Sequence, residues 1–310
     1  MKKLLIAILA FTTIGTSLAQ GDTIPKNWRL KATYGLNGTQ SSFINWNAGG
    51  RNNIALLGYI EASANYSKGN YKWDNDLGLA LGGLQYIGKG NSGPLQKTDD
   101  KIDFTSNFGV KIKEHWYISV LGNFKTQFMD GFSYPNDSIR TSTFMAPGYS
   151  TFAIGIDYKP TDNFSIFLSP IAAKMTFVND QVLADAGEFG VEGATYDDFG
   201  NLLTAGKRFR GEFGAYFKMM YNRTLVKNID VKSKLELFSN YLNNPENIDV
   251  AAEVIFNFKV NSWFSASLNL NLLYDHDITI RDVNGNSGPR TQFKSVLGLG
   301  VSYTMRNFKE

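Results

Sequence analysis

The run Ile248-Asp249-Val250-Ala251-Ala252-Glu253-Val254-Ile255-Phe256-Asn257-Phe258-Lys259-Val260 decides the fold. Ile248, Val250, Ala252, Val254, Phe256, Phe258 and Val260 take every second position, and Asp249, Glu253 and Lys259 lie between them. A period of two belongs to an extended strand whose two faces meet different surroundings, because successive side chains point to opposite sides. The same alternation returns along the chain. Phe209, Gly211, Phe213, Ala215, Phe217, Met219 and Tyr221 form one row, and Trp28, Leu30, Ala32, Tyr34 and Leu36 another. Trp116, Ile118, Val120, Gly122, Phe124 and Phe128 form a third, while Ile102, Phe104, Phe108, Val110 and Ile112 form a fourth, interrupted only by Ser106. Weaker rows start near Ile54, Tyr71, Tyr149, Phe164, Ile229, Phe264 and Thr291, so about twelve strands are expected. Most rows hold for about ten residues or longer, close to the ~9–11 that a tilted strand needs to cross a bilayer and beyond the ~5–6 usual in soluble domains.

The connections alternate too. Ser67 to Asn70, Lys113 to His115, Lys159 to Asn163, Arg223 to Asn228 and Asn261-Ser262 are short. Asn37 to Asn53, Ile87 to Asp100, Met129 to Gly148, Phe177 to Lys207 and Asp275 to Arg290 are long, and Asn240 to Asn247 is intermediate. In an antiparallel meander all tight turns then share one rim and all long loops the other, the asymmetry of bacterial outer-membrane barrels. Aromatics gather at both strand ends: Trp28, Trp73, Trp116, Tyr158, Phe164, Tyr221, Trp263 and Tyr303 near the short turns, and Tyr86, Phe128, Phe177, Phe209, Tyr241, Tyr274 and Phe293 near the long loops. Amphipathic rings favour the two membrane interfaces, so two girdles are expected.

A soluble barrel would have to turn these apolar rows inward. With ~4.8 Å between strands tilted near 40°, a circular twelve-stranded barrel is roughly 24 Å across, too wide for side chains to fill. The sequence therefore predicts an all-β fold: a single closed antiparallel transmembrane β-barrel of about twelve strands, an up-and-down meander in the cell outer membrane with lipid as its first partner. Hydrocarbon offers no partner to an exposed backbone N–H or C=O, so the first and last strands are expected to close the ring.

Composition sets the other limits. Of 310 residues, 43% are hydrophobic and 19% charged, which excludes a disordered chain. A net charge of +3 and the absence of a basic block speak against nucleic acid as a partner. With no cysteine, disulfides, thiolate metal sites and cysteine nucleophiles are excluded. Lys2 and Lys3, the apolar run Leu4 to Phe11 and the small residues Ser17-Leu18-Ala19 resemble a secretory signal peptide cut at Ala19/Gln20. Residues 1–19 are expected to be removed and residues 20–310 to form the barrel.

The non-apolar rows carry the charges expected to line the lumen: Lys72, Asp74 and Asp76; Arg208, Arg210 and Glu212; Asp230, Lys232, Lys234 and Glu236; and Asp249, Glu253 and Lys259. Both signs occur nearly equally, unlike the single-sign lining that selects cations or anions. Side chains reaching inward, and ion pairs across the bore, would narrow or partly block it. The main reading is a platform, whose outer loops or periplasmic rim bind another envelope component. The alternative is a narrow channel or transporter for a small polar solute. An outer-membrane hydrolase ranks third and the protein is not expected to be an enzyme, since it has only two histidines, His115 in a short turn and His276 beginning a long loop without a serine at strand spacing. Asp282-Val283-Asn284-Gly285-Asn286-Ser287-Gly288 has oxygen donors at alternate positions, but its glycine spacing and Phe293 at the twelfth position do not fit a calcium-binding EF-hand. No cofactor or metal is expected.

Several motifs resemble one family: Asn45-Trp46-Asn47-Ala48-Gly49-Gly50, Lys97-Thr98-Asp99-Asp100-Lys101, Met145-Ala146-Pro147, Tyr158-Lys159-Pro160, and Leu183-Ala184-Asp185-Ala186-Gly187-Glu188-Phe189-Gly190-Val191. In this order they are similar to the envelope family known as domain of unknown function 3078, common in the Bacteroidota, over nearly all of the mature chain. The resemblance implies an outer-membrane location and brings no substrate or catalytic residue. Most motifs fall on the outer rim, where Asn45, Trp46, Gly49, Gly50, Asp99, Asp100, Asp185 and Phe189 are the candidate contact or lid residues. In a lid, Trp46 would pack against Phe189. Loops that only brace one another are an equal expectation.

Overall fold

The computed structural model describes residues 27–42, 51–88, 93–134, 137–281 and 286–308. The candidate signal peptide, Asn45, Trp46, Gly49, Gly50 and the acidic start of the 282–288 segment lie outside the described residues. The barrel strands are β1 (Trp28–Ser41), β2 (Asn53–Lys68), β3 (Tyr71–Tyr86), β4 (Gln96–Lys113), β5 (Trp116–Thr126), β6 (Gly148–Thr161), β7 (Phe164–Phe177), β8 (Phe209–Val226), β9 (Ile229–Asn240), β10 (Ile248–Lys259), β11 (Phe264–Tyr274) and β12 (Gln292–Arg306). Each pairs antiparallel with its sequence neighbours, and β1 pairs with β12 from Lys31↔Arg306 to Gly38↔Leu299, closing the ring. Every strand thus finds backbone partners on both sides, which a hydrocarbon environment requires.

The alternation has the predicted sense. Along β5, Ile118 and Val120 are 52% and 50% exposed, whereas Ser119 and Leu121 at the alternate positions are each 1% exposed. Phe152, Ile154, Leu168, Ile171, Phe213, Leu297 and Leu299 likewise stand outward. Ser106, the break in the β4 row, accepts from Trp73 Nε1 at 2.8 Å and donates to Asn75 Oδ1 at 2.8 Å. This polar group on the outer face is therefore satisfied inside the wall. The aromatic girdles are present as contacts: Trp28 with Tyr66 and Trp73, and Trp116 with Tyr158, by the short turns, and Phe177 with Phe209, and Phe213 with Tyr241, by the long connections. A closed barrel with a greasy outer belt, two aromatic rings and charges inside is an outer-membrane barrel.

The turns are as tight as expected. Gly69, His115 and Asn228 carry left-handed backbones with φ of 58°, 65° and 70°, the conformation that two-residue hairpins demand. His115 is thus a turn residue. On the other rim the structure departs from simple loops. β1 runs on to Ser41 because its ladder with β2 continues through Gln40↔Ile54 and Ser41↔Asn53. β4 begins at Gln96, so Asp99 and Asp100 are strand residues. The long connections also hold small hairpins at 131–132/140–142, 195–196/202–204 and 279–281/287–289, and a helix α1 (Gln181–Asp185).

Candidate functional site

Ion pairs cross the lumen at mid-height. Lys101 on β4 meets Glu253 on β10 at 3.0 Å, although these strands stand opposite each other in the ring. Lys234 on β9 meets Asp103 on β4 at 2.8 Å, Lys232 on β9 pairs with Glu61 on β2, and Lys125 on β5 pairs with Glu236 on β9. An extended lysine, a hydrogen bond and a glutamate together span no more than about 14 Å between Cα atoms, against roughly 24 Å for a circular barrel. The ring is therefore pinched, with the β2–β4 wall drawn toward the β9–β10 wall and a lobe on either side.

One lobe is filled. Leu121, Ala153, Phe167, Ala172, Tyr216 and Phe238, from β5 to β9, form a buried cluster inside the barrel. Tyr216 also donates its hydroxyl to Glu236 at 2.7 Å. Beneath the cluster, Lys159 lies between Asp74 at 2.5 Å and Asp157 at 2.8 Å, and Asn107 donates to Asp157 at 2.6 Å. Lys72 lies over the Tyr117 ring at 5.4 Å. Above the cluster, Lys174 meets Asp249 at 2.5 Å, Asp275 at 3.1 Å and Glu212 at 3.7 Å, while Arg210 holds Glu212 and Asp277. These pairs close that half from mouth to mouth.

The other lobe is a passage of about 810 Å³ along β10, β11, β12, β1 and β2, in which polar side chains are interspersed with Leu57, Tyr59, Ile255 and Val296. Its lining begins at Asn261, Ser262 and Arg306 on the short-turn rim and reaches Asn271, Asp99 and Lys294 toward the long-connection rim. Lys294 and Asp99 pair there at 2.9 Å. Much of the wall is uncharged: Ser265, Ser267, Asn269 and Asn271 alternate along β11 with outward Ala266, Leu268, Leu270 and Leu272. Asn37 donates to Ser267 at 2.9 Å across the closing strand. Gly298 and Gly300 permit this, since a Cβ there would come within 2.9 Å and 2.3 Å of Asn37 atoms.

The outer rim above the filled lobe is folded. Ala146, Val178, Leu183, Ala184 and Val191 make a second buried cluster, with Phe189 packed on it. Asp180 caps α1 by accepting from Val182 and Leu183 N–H at 2.9 and 3.1 Å, and pairs with Arg140 at 2.6 Å. Desolvation works against this carboxylate, but the Leu183 N–H, Arg140 and the Val182 N–H outweigh it and hold its pKa below the ordinary value. Desolvation raises that of Glu188. Asp185 accepts from Gln181 and from Gly206 N–H at 2.7 Å each.

The sequence candidates divide accordingly. Asp185 and Phe189 come together in this outer unit, and Asp99 belongs to the passage. Asp100 has a side chain 2% exposed, pairing with Lys97 at 3.2 Å and accepting from Phe128 and Met129 N–H at 2.7 and 2.9 Å. It anchors the connection after β5. Of the lumen candidates, Lys72, Asp74, Asp76, Arg210, Glu212, Lys232, Lys234, Glu236 and Glu253 face inward, whereas Arg208 precedes β8 and is exposed. Sequence reasoning missed the inward apolar cluster, because Leu121, Tyr216 and Phe238 occupy the polar parity. It also passed over Lys101 and Asp103, which share an inward row of β4, and Lys218, which continues the row of Arg210 and Glu212. The serine and asparagine row of β11 was legible by its spacing but not by charge. His276 lies 3.3 Å from the Tyr274 hydroxyl.

Residues 39–132 match the model of the family described as protein of unknown function DUF3078. The match runs from the end of β1 through β5 and takes in the Asn45 to Gly50 and Lys97 to Lys101 motifs; the motifs at Met145, Tyr158 and Leu183 lie beyond it. No curated protein matches the sequence. Among solved structures the chain is similar to the NanC porin at 8% identity and a TM-score of 0.37, with 88% of this chain and 98% of that one covered. It is also similar to an outer membrane channel from Pseudomonas putida F1 at 11% identity and a TM-score of 0.38, covering 92% and 98%. A third is the translocator domain of the autotransporter NalP from Neisseria meningitidis, at 10% identity and a TM-score of 0.33, covering 97% of each chain.

Proposed function

We propose that the barrel is a narrow outer-membrane channel for small polar solutes, with the passage beside β10, β11, β12, β1 and β2 as its path. The observation that carries this reading is the passage itself, whose lining runs from Arg306 at one rim to the Lys294–Asp99 pair toward the other, with the hydroxyl and amide row of β11 along it. Hydroxyl and amide side chains there can replace the hydration of a passing solute. Refolded protein in planar bilayers should give small, discrete conductance steps with a modest preference for anions, because basic side chains outnumber acidic ones along the passage. Absence of any step would overturn the channel.

The platform reading keeps one specific support, the folded unit around Leu183, Ala184 and Val191 on the outer rim. Copurification of an envelope protein from intact outer membranes, lost when residues 181–206 are replaced by a flexible linker, would favour it. No catalytic step belongs to either reading.

A further inference from the structure

We propose that the middle of the lumen is a binding site for a small zwitterion of the amino-acid class, its carboxylate received by Lys218 and its ammonium by Asp76. The proposal rests on the channel reading, in which this site is a station along the path. A central cavity of about 280 Å³ continues into the passage and is lined by both residues. A single water needs only about 10–15 Å³ of such space, so a solute of several heavy atoms fits.

Nearly every charge around this cavity has an opposite partner in contact: Lys101 with Glu253, Lys232 with Glu61, and Lys234 with Asp103. Lys218 and Asp76 do not. Neither makes an ion pair or a hydrogen bond among the described residues. Lys218 is 6% exposed, and its cross-strand neighbour Glu236 is occupied by Lys125 and the Tyr216 hydroxyl. An ammonium so far from bulk water is costly to leave without an anion. A third group is also unspent, since Asn65 Oδ1 is a buried acceptor on the same lining with no donor.

The three groups select a ligand by elimination. A simple anion would answer Lys218 and repel Asp76, a simple cation would do the reverse, and a neutral polyol would bring no charge to either. A molecule carrying a carboxylate and an ammonium meets both, and Asn65 Oδ1 can accept a further N–H from the ammonium. Charge-assisted contacts of this kind are the strong ones.

The test is calorimetric titration of the refolded full-length barrel with glycine, compared with acetate, methylammonium and glycerol. Glycine should bind saturably and at least tenfold more tightly than any of the other three. That comparison uses the unaltered protein and needs no variant to fold. Lys218→Met and Asp76→Asn, checked for heat-resistant barrel mobility, should each weaken glycine at least tenfold. No saturable binding of glycine, equal binding of acetate or methylammonium, or unchanged affinity in the folded variants would overturn the site. Conductance steps without glycine binding would overturn the site and leave the channel standing. Glycine binding without conductance would uphold the site and remove the channel.

Discussion

Replacing Lys234 with methionine asks whether the ionic belt braces the pinched barrel. Lys234 Nζ lies 2.8 Å from Asp103 Oδ2 and 4.0 Å from Glu236, with side chains 20% and 10% exposed for Lys234 and Asp103. The methionine fills similar volume but leaves Asp103 buried without its cation. Removing one partner of a buried pair costs roughly 3–5 kcal/mol. Asp103 keeps one bond, from Asn123 Nδ2 at 3.0 Å, so the low end applies and about 3 kcal/mol is expected. Adding Asp103→Leu removes the orphaned charge, and the double variant should return to within about 1 kcal/mol of the parent. A coupling of at least about 2 kcal/mol between the sites follows, larger by whatever Asp103→Leu costs alone. Urea unfolding of refolded protein in lipid vesicles, followed by tryptophan fluorescence, measures all three. A loss below about 0.5 kcal/mol for Lys234→Met would show that lumen water screens the pair, and the bracing argument would be wrong.

Phe238→Ala, in the filled lobe, should destabilise the barrel by about 3–5 kcal/mol in the same unfolding assay and raise the conductance step, because it hollows the plug beside the path. Gly300→Ala should lower the fraction of folded, heat-resistant protein on gels. Its Cβ would come 2.1 Å from the Leu36 carbonyl oxygen at the closing seam, a clash that overpacked sites relieve at about 1–3 kcal/mol or more. At the outer rim, Asp180→Ala should cost about 1 kcal/mol of local stability, read as faster hydrogen exchange at Val182 and Leu183. The Asp180 carboxyl titrates below its ordinary value of 3.8, so the cap is fully present above that pH and is lost as pH falls through the lower folded value. The protection of these amides relative to intrinsic exchange should be unchanged on acidification from pH 7 to pH 5 and fall only in stronger acid; a fall within the upper window would contradict the assignment.

Strand number, facing and order were legible because a bilayer imposes one simple rule on every residue of the outer surface. The row from Phe209 to Tyr221 and the row from Ile248 to Val260 could be read without knowing their neighbours, since lipid is the same partner everywhere. Ser106 looked like an interruption only because its partners, Trp73 and Asn75, are far away in sequence. The lumen follows no such rule. Tyr216 and Phe238 sit on the polar parity yet are buried against Phe167 and Leu121, and nothing local distinguishes them from side chains in water. Asp100 beside Asp99 reads as an ordinary hydrophilic pair, but one clamps the N–H groups after β5 and the other reaches Lys294.

From the chain alone came the closed meander, its outward greasy belt, its aromatic rims and the inward direction of its charges, all consequences of a period of two against hydrocarbon. Tertiary structure decided that the ring is flattened, that one lobe is packed and the other open, and that Lys218 and Asp76 have no ion pair or hydrogen bond among the described residues. The reason is physical: outward side chains answer to a uniform solvent, whereas inward ones answer to whichever opposite strand the closure brings within a lysine's reach.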